Sequence, residues 1–311
     1  MRCAALVEAL RSPTLHPQAP IGKGRALRRA LAVLALAFAP PANALTVAKT
    51  DARPPPVPQI EVPDRLPHSV AALGSADIAV AWLAAPTPRY AHGVLGDALE
   101  ASRLAARTRS GATLRLELPP ERVFEDLAPR LADLDGDGRD EIIVVEADAA
   151  LGARLSVYGV AGDRIVLRAA GEFIGRPQRW LNPVGVGDFD GDGRPDVAVL
   201  VTPHIDGVLR LYRWGEGILV PFAEHRGVTN HEVGSTELGL GVVAPARPRD
   251  RLLLPVQDRR ALVLLEWSEG GVVEVARAPL AAPLAGSLIP VGKGRWRTRL
   301  ADGRHVDVSV P

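Results

Sequence analysis

Short apolar runs separated by polar, glycine-containing breaks recur along the chain at a fixed spacing. Residues 142–148 are IIVVEAD, residues 197–203 are VAVLVTP and residues 252–258 are LLLPVQD. Each run therefore starts 55 residues after the previous one (197 − 142 = 55 and 252 − 197 = 55). Their β-branched, apolar composition is typical of buried strands, and the regular spacing indicates one repeated structural unit.

Each buried run is followed by two further runs with a glycine-containing break between them. These pairs begin at Arg154, Arg210 and Leu262, and such breaks are hairpin signals. Each unit thus contains about four strands and no helix. Four-stranded units repeated at roughly 40–55 residues indicate the blades of a β-propeller, whereas a parallel β-solenoid would need a shorter period.

Weaker copies extend the pattern in both directions. Residues 78–82 (IAVAW) match the buried strand, and a shorter last unit starts near Leu288. We therefore expect an all-β protein, a propeller of five four-stranded blades over residues 68–311. The last blade would borrow a strand from the N-terminal segment, and such a clasp would close the ring and remove exposed sheet edges.

Two acidic loops precede the first two buried runs. Residues 133–141 are DLDGDGRDE and residues 188–196 are DFDGDGRPD, so both follow the pattern D-x-D-G-D-G-x-x-D/E. Aspartates at alternate positions repel one another unless a cation lies among them, and calcium accepts several oxygens in irregular geometry. We therefore expect two calcium ions. The candidate ligands are the side chains of Asp133, Asp135, Asp137, Glu141, Asp188, Asp190, Asp192 and Asp196 and the backbone carbonyls of Arg139 and Arg194.

Two other interpretations of these loops are less well supported. A solvated turn rich in aspartate and glycine is common, but two copies at one offset favour calcium. An EF-hand would need glutamate at position twelve, where this chain has Val144 and Val199. A third copy, residues 243–251, has no carboxylate at the matching ligand positions, so we expect no ion there.

The loops DLDGDGRDE and DFDGDGRPD, each followed by a hydrophobic strand, resemble the integrin-alpha-type FG-GAP repeats, which are called VCBS repeats in bacterial proteins. The resemblance is strong over residues 121–232 and weak elsewhere. It implies a β-propeller with calcium in loops of individual blades. Members include adhesion modules, carbohydrate-associated proteins and many uncharacterised exported proteins, so the resemblance leaves the function open.

Residues 1–44 predict an N-terminal extension and a secretory signal peptide. A basic stretch at 23–29 precedes ten apolar residues at 30–39 and the A-x-A site ending at Ala44. The apolar run is too short to span a bilayer, which takes about 20 residues. We expect cleavage after Ala44, a periplasmic or secreted protein with no transmembrane segment, and a proline-rich linker over residues 45–67. Sec and twin-arginine export both remain open.

Cleavage would change the charge of the chain. The segment holds six of the 37 basic and one of the 36 acidic residues, which leaves 31 basic against 35 acidic residues and a net charge of −4. No basic stripe remains for a nucleic acid. Cys3, the single cysteine, would also be removed, so the mature chain would have no thiol chemistry.

Polar segments between predicted strands supply a possible ligand site. His92, His204 and His231 lie in such segments, and Arg179 precedes the second acidic loop. Loops on a rigid scaffold often carry binding residues, and these four could form a pocket for a small anionic or sugar-like ligand. The alternative is that the histidines cap surface turns, which the sequence alone favours.

Catalytic motifs are missing from the sequence. It contains no G-x-S-x-G elbow and no H-E-x-x-H pair, and its carboxylates concentrate in the acidic loops. We therefore expect a non-enzymatic module that binds an unknown protein or carbohydrate partner, with calcium in a structural role. The alternative is a propeller lyase or hydrolase with a central pocket lined by histidine and arginine.

Overall fold

The fold is built from β-strands. The computed structural model describes residues 44–215 and 217–311, and no helix occurs in that part of the chain. The strands are β1 (Thr46–Thr50), β2 (Ala72–Leu73), β3 (Ile78–Thr87), β4 (Glu100–Thr108), β5 (Thr113–Glu117), β6 (Arg122–Phe124), β7 (Arg130–Ala132), β8 (Glu141–Asp148), β9 (Gly152–Ala161), β10 (Arg164–Ala170), β11 (Leu181–Gly187), β12 (Asp196–Val201), β13 (Val208–Gly215), β14 (Ile218–Arg226), β15 (Val242–Ala244), β16 (Arg251–Pro255), β17 (Ala261–Ser268), β18 (Gly271–Pro279), β19 (Ile289–Gly292), β20 (Arg295–Arg299) and β21 (His305–Ser309).

All strands except β6 belong to five four-stranded antiparallel units. Blade 1 is β2–β5, blade 2 is β7–β10, blade 3 is β11–β14, blade 4 is β15–β18, and blade 5 is β19–β21 with β1. Strand β6 pairs with β4 and β8 and so links blades 1 and 2. The second strands of blades 2, 3 and 4 begin at Glu141, Asp196 and Arg251, again 55 residues apart. The predicted all-β, propeller-like fold is confirmed.

The blades pack face to face through their central strands. All residues of β8 and β12 are buried. One apolar cluster joins blades 1, 2 and 3, another joins blades 3 and 4, and a third joins blades 4 and 5. A strand covered on both faces is a continuous apolar run rather than an alternating one, which accounts for the IIVV and VAVLV segments.

Strand β1 completes blade 5, as expected for a clasp. It pairs with β21 in antiparallel register, from Thr46 opposite Ser309 to Thr50 opposite His305. Leu45 beside it is buried between blades 4 and 5. The linker predicted over residues 45–67 is therefore wrong at its start, because strand pairing draws these residues into the blade.

The other end of that segment also contacts the fold. The N–H of Leu66 donates to the carbonyl oxygen of Leu83 (2.9 Å). The indole N–H of Trp82 donates to the carbonyl oxygen of Pro63 (3.0 Å). Residues 51–59 contain no strand and are mostly exposed. Only this stretch fits an extended linker.

The two ends of the blade series share no apolar core. Within residues 44–215 and 217–311, no apolar cluster contains side chains of both blade 5 and blade 1. Ile60 and Val62 cover Trp82 on the outer face of blade 1, whereas Arg295 and Arg299 are exposed on blade 5. Closure of the ring through a shared apolar core is therefore not seen in these residues, and Trp296, the apolar side chain of β20, packs in the cluster of blades 4 and 5.

An aspartate at the eighth loop position ties neighbouring blades together. Asp140 accepts hydrogen bonds from three backbone N–H groups of blade 1 within residues 75–78. Asp250, two repeat lengths later (250 − 140 = 110), accepts one from the N–H of Asp188 (3.1 Å). The equivalent residue of blade 3 is Pro195, which lacks both a carboxylate and an N–H. The loop repeat therefore also serves blade-to-blade contact.

Removal of β1 should destabilise blade 5. A chain that begins at residue 51 loses the β21 pairing and the buried Leu45 side chain, which together with Val47 corresponds to about 3 kcal/mol of apolar burial. We expect Tm to fall by about 5–10 °C relative to a chain beginning at residue 45. Circular dichroism during heating measures this, and equal Tm values would contradict a stabilising role for β1.

Candidate functional site

The two acidic loops occupy equivalent turns. Residues 133–140 connect β7 to β8, and residues 188–195 connect β11 to β12, which are the first and second strands of blades 2 and 3. Successive strands of a blade are antiparallel, so turns between first and second strands lie at one edge of the blades. We call the edge that carries these two loops the acidic edge.

Three carboxylates converge in each loop. One oxygen atom from each member lies within 4.8 Å of the others. The two sets are Asp133, Asp135 and Glu141 in the first loop and Asp188, Asp190 and Asp196 in the second. In the described residues, acidic and histidine side chains form such a cluster only in these loops.

Backbone hydrogen bonds hold the loops in the same tight turn. The carboxylate of Asp133 accepts from the N–H groups of Gly136 (2.7 Å) and Gly138 (2.9 Å). Both glycines have positive φ, 78° and 82°, a conformation that other residues rarely adopt. Asp188 makes the equivalent bonds in the second loop, at 2.8 and 3.0 Å.

The third aspartate of each loop lies outside the carboxylate cluster. Asp137 and Asp192 are exposed, and each accepts a hydrogen bond from the backbone N–H two residues later. Their role as calcium ligands stays a prediction. The same holds for the backbone carbonyls of Arg139 and Arg194.

The innermost carboxylate of each cluster is the most perturbed. Burial raises the pKa of Glu141 to about 7, and the charges of Asp135 and Asp137 add to the increase. Burial likewise raises the pKa of Asp196 to about 7. A cation favours the ionised form of its ligands and would offset this burial cost. A ligand set made only of oxygen fits a hard cation such as calcium.

An arginine pairs with the second aspartate of each loop. Arg168 Nη2 lies 2.9 Å from Asp135 Oδ2, and Arg213 Nη2 lies 2.5 Å from Asp190 Oδ2. The two arginines are not equivalent in the repeat, because they follow the first loop residue by 35 and 25 positions (168 − 133 and 213 − 188). A cation that binds here must compete with these ion pairs.

The residues of the predicted pocket lie at the opposite edge. His92 and His204 are in turns between second and third strands, and Arg179 and His231 are in connections that follow fourth strands. In an antiparallel blade all of these connections lie away from the acidic edge. We call the edge that carries these four residues the histidine edge.

A cavity of about 230 Å³ lies at the histidine edge. His92, Arg179 and His204 line it together with Trp180. The other lining residues are Gly93, Val94, Gln178, Thr202, Pro203, Ile205 and Val233. The structure thus brings three of the predicted residues to one cavity, with His231 directly behind His204; their binding role stays a prediction.

His204 and His231 form a hydrogen-bonded pair. His204 Nε2 lies 2.8 Å from His231 Nδ1, and His231 Nε2 lies 2.9 Å from the carbonyl oxygen of Ser235. The ring of Trp180 stacks on His204 with 5.8 Å between centroids. Burial lowers the pKa of both histidines to about 4, so both are neutral at pH 7.

His92 contacts a buried carboxyl group behind the cavity wall. Its Nδ1 is hydrogen-bonded to Glu125 Oε1, and Glu125 is 0% exposed. Burial, and then the charge of Asp126, raises the pKa of Glu125 well above its usual range. Burial and Arg179 lower the pKa of His92. Burial thus favours the uncharged form of both groups in this contact.

Glu100 lies near Glu125 and is also 0% exposed. Neither of its carboxyl oxygens has a hydrogen-bond partner among the described residues. Burial, followed by the charge of Glu125, raises the pKa of Glu100 to about 9. Strongly perturbed carboxyl groups beside a cavity are typical of functional sites.

Sequence reasoning missed both glutamates. Glu100 stands in the segment ALEASRLAA and Glu125 in VFEDL. The available signal was an acidic residue surrounded by apolar ones, which is rarely buried without a partner or a function. Neither lies in the acidic loops, where the carboxylate pattern directs attention.

Comparison with known proteins agrees with the acidic-loop pattern. Residues 133–199 match the family model described as FG-GAP-like repeat, so this part of the chain is an FG-GAP-like repeat region that contains both loops. No curated protein matches the chain. Within residues 44–215 and 217–311, no helix has the length and apolar character needed to cross a membrane.

Replacing Glu100 with glutamine should stabilise the protein increasingly as pH rises. The unfolded chain releases the Glu100 proton near pH 4.5, whereas the folded chain keeps it to about pH 9. The free energy of unfolding of the wild type therefore falls as pH rises from about 4.5 to about 9. The variant does not lose this stability, because its amide has no proton to release. The Tm difference between Glu100→Gln and wild type should grow from pH 5 to pH 8.5.

The matched control for this experiment is Glu269→Gln, because Glu269 is exposed in the turn between β17 and β18. Its Tm difference from wild type should stay constant with pH. A constant difference for Glu100→Gln as well would contradict the buried, protonated carboxyl group.

Proposed function

We propose that the protein is an exported binding module whose propeller-like fold is stabilised by two calcium ions. The observation that carries the proposal is the division of polar groups between two edges. Repeated oxygen clusters occupy the acidic edge, and a cavity with converging histidine and arginine side chains occupies the histidine edge. Metal binding and ligand binding would then use separate surfaces of one scaffold.

Calcium would bind the carboxylates of each acidic loop. Asp133, Asp135 and Glu141 would hold one ion, and the equivalent residues of blade 3 the other. The ion would supply charge neutralisation at the turn that leads into a fully buried strand, β8 or β12. Extracellular modules use calcium sites of modest affinity, which agrees with export.

Export is supported by the signal-like pattern in residues 1–44. Residues 1–43 lie outside the described residues, so their structure does not enter the argument. Cleavage after Ala44 would leave β1, which starts at Thr46, intact in blade 5. A mature chain beginning at Leu45 would therefore retain the complete blade.

The partner would be a protein or a carbohydrate, recognised at the histidine edge. An enzymatic alternative, a lyase or hydrolase, is favoured by the contact between His92 and Glu125, since a carboxyl group commonly orients a catalytic histidine. Binding is the better supported function, because the cavity residues offer a cation and hydrogen-bonding side chains and the sequence contains neither of the catalytic motifs sought above.

Calcium removal should destabilise the protein. Ligand present at 100 times its Kd stabilises a folded state by about 2.7 kcal/mol, so adding calcium to chelator-treated protein should raise Tm by several degrees. Differential scanning calorimetry measures this. An unchanged Tm, together with no calcium in the purified protein, would refute the structural role.

Single substitutions should separate the two ions. Asp135→Ala and Asp190→Ala should each abolish or weaken one of two binding events in isothermal titration calorimetry, because each removes one carboxylate from its cluster. Asp163→Ala is the control, since Asp163 is exposed in the turn between β9 and β10 at the same edge. Loss of both events in either variant would contradict independent sites.

A further inference from the structure

We propose that the cavity at the histidine edge binds a small hydroxy acid. Arg179 and the Nε2–H group of His92 hold its carboxylate, and Nδ1 of His204 accepts a hydrogen bond from its hydroxyl group. This inference rests on the proposed binding function and specifies the chemical class of its ligand. It follows from three groups that line one cavity and differ in hydrogen-bonding character.

Arg179 is a cation available to the cavity. Within the described residues its guanidinium group donates to the carbonyl oxygen of Gln178 (3.2 Å) and has no carboxylate partner. Arg130, by contrast, is paired with Asp126. The planar guanidinium fork matches a carboxylate and can bind it with two parallel hydrogen bonds.

The hydrogen-bond chain behind His204 assigns its free nitrogen as an acceptor. The carbonyl oxygen of Ser235 can only accept, so His231 Nε2 carries a proton. Neutral His231 then accepts at Nδ1 from the Nε2–H of His204. Neutral His204 is left with an unprotonated Nδ1, which makes no hydrogen bond to the described residues. A ligand hydroxyl group is the complementary donor.

The contact behind His92 assigns its free nitrogen as a donor. We assign the proton of this contact to Glu125, because burial raises the pKa of its carboxyl group well above the usual range, so that Glu125 donates to His92 Nδ1. In this assignment His92 carries its own proton on Nε2, the nitrogen without a partner among the described residues. The cavity thus presents a cation, an N–H donor and a nitrogen acceptor, which is the pattern that a carboxylate and a hydroxyl group complement.

Backbone conformation supports a built site. Ala91, Gln178 and Thr202 have φ of 45°, 50° and 47°, and each directly precedes a cavity-lining residue. Residues other than glycine at such φ cost energy and concentrate at functional sites. The volume of about 230 Å³ is below the about 300–1,000 Å³ typical of pockets for drug-sized ligands, so the ligand is small.

Three probes of nearly equal size test the ligand class. Lactate carries the carboxylate and the hydroxyl group, propionate lacks the hydroxyl group, and propane-1,2-diol replaces the carboxylate with a neutral alcohol. Ligand-observed NMR on the calcium-loaded full chain, at concentrations up to about 50 mM, should rank lactate first. Propionate should bind about tenfold more weakly, and the diol should show no binding.

Substitutions assign the contacts. Arg179→Gln should weaken lactate at least about tenfold, because a hydrogen bond to a charged group contributes about 1.5–3 kcal/mol. His204→Phe keeps a ring against Trp180 and should remove the preference for lactate over propionate. Arg176→Gln is the matched control, since exposed Arg176 lies in the same connection but does not line the cavity. Tm and calcium binding at the opposite edge verify that each variant folds.

The outcomes separate two failures. Equal binding of the diol and lactate, or an Arg179→Gln variant with wild-type affinity, would overturn the hydroxy acid while leaving the cavity as a binding site. No binding of any probe would overturn both the hydroxy acid and the cavity as the site of the proposed function. The inference is supported if lactate binds most tightly, propionate more weakly and the diol not at all. It also requires that Arg179→Gln loses affinity for lactate while Arg176→Gln does not.

Discussion

Burial of the second strands of blades 2 and 3 on both faces is the constraint on which the remaining structure depends. Strands β8 and β12 are fully covered by neighbouring blades, and apolar burial of this kind contributes about 25 cal/mol per Å². Their backbone groups pair within the blade, so irregular chain can occur only where strands end. The candidate chemistry of the protein is consequently confined to the two edges.

The two edges are built in different ways. Each acidic loop is shaped by its own backbone, through hydrogen bonds that Asp133 or Asp188 accepts from N–H groups within the same loop. The histidine edge takes its side chains from connections in blades 1 and 3 and from those that follow blades 2 and 3. Its geometry therefore depends on how the blades pack, and small changes in packing would move His92 relative to His204.

Charge is handled differently at each edge as well. Each carboxylate cluster of the acidic edge keeps two of its three members within reach of water and pairs one of these two with Arg168 or Arg213. Behind the cavity, Glu100 and Glu125 are fully buried and avoid the cost of a buried charge by holding their protons. Carboxyl groups thus pair with arginine at one edge and are buried without a cationic partner behind the other.

The sequence by itself determined the strand period, the four-stranded unit and the acidic loops, because contiguous residues specify each of them: a buried strand is an apolar run, and the loop ligands lie within nine positions. It also suggested that His92, Arg179, His204 and His231 could form one pocket, and that the N-terminal segment supplies a strand to the last blade. Only the tertiary structure decided that this strand is Thr46–Thr50, within the predicted linker, that blade 5 has a polar outer face, and that Glu125 lies behind His92. These contacts depend on which blades and connections meet in space, and no local pattern encodes that.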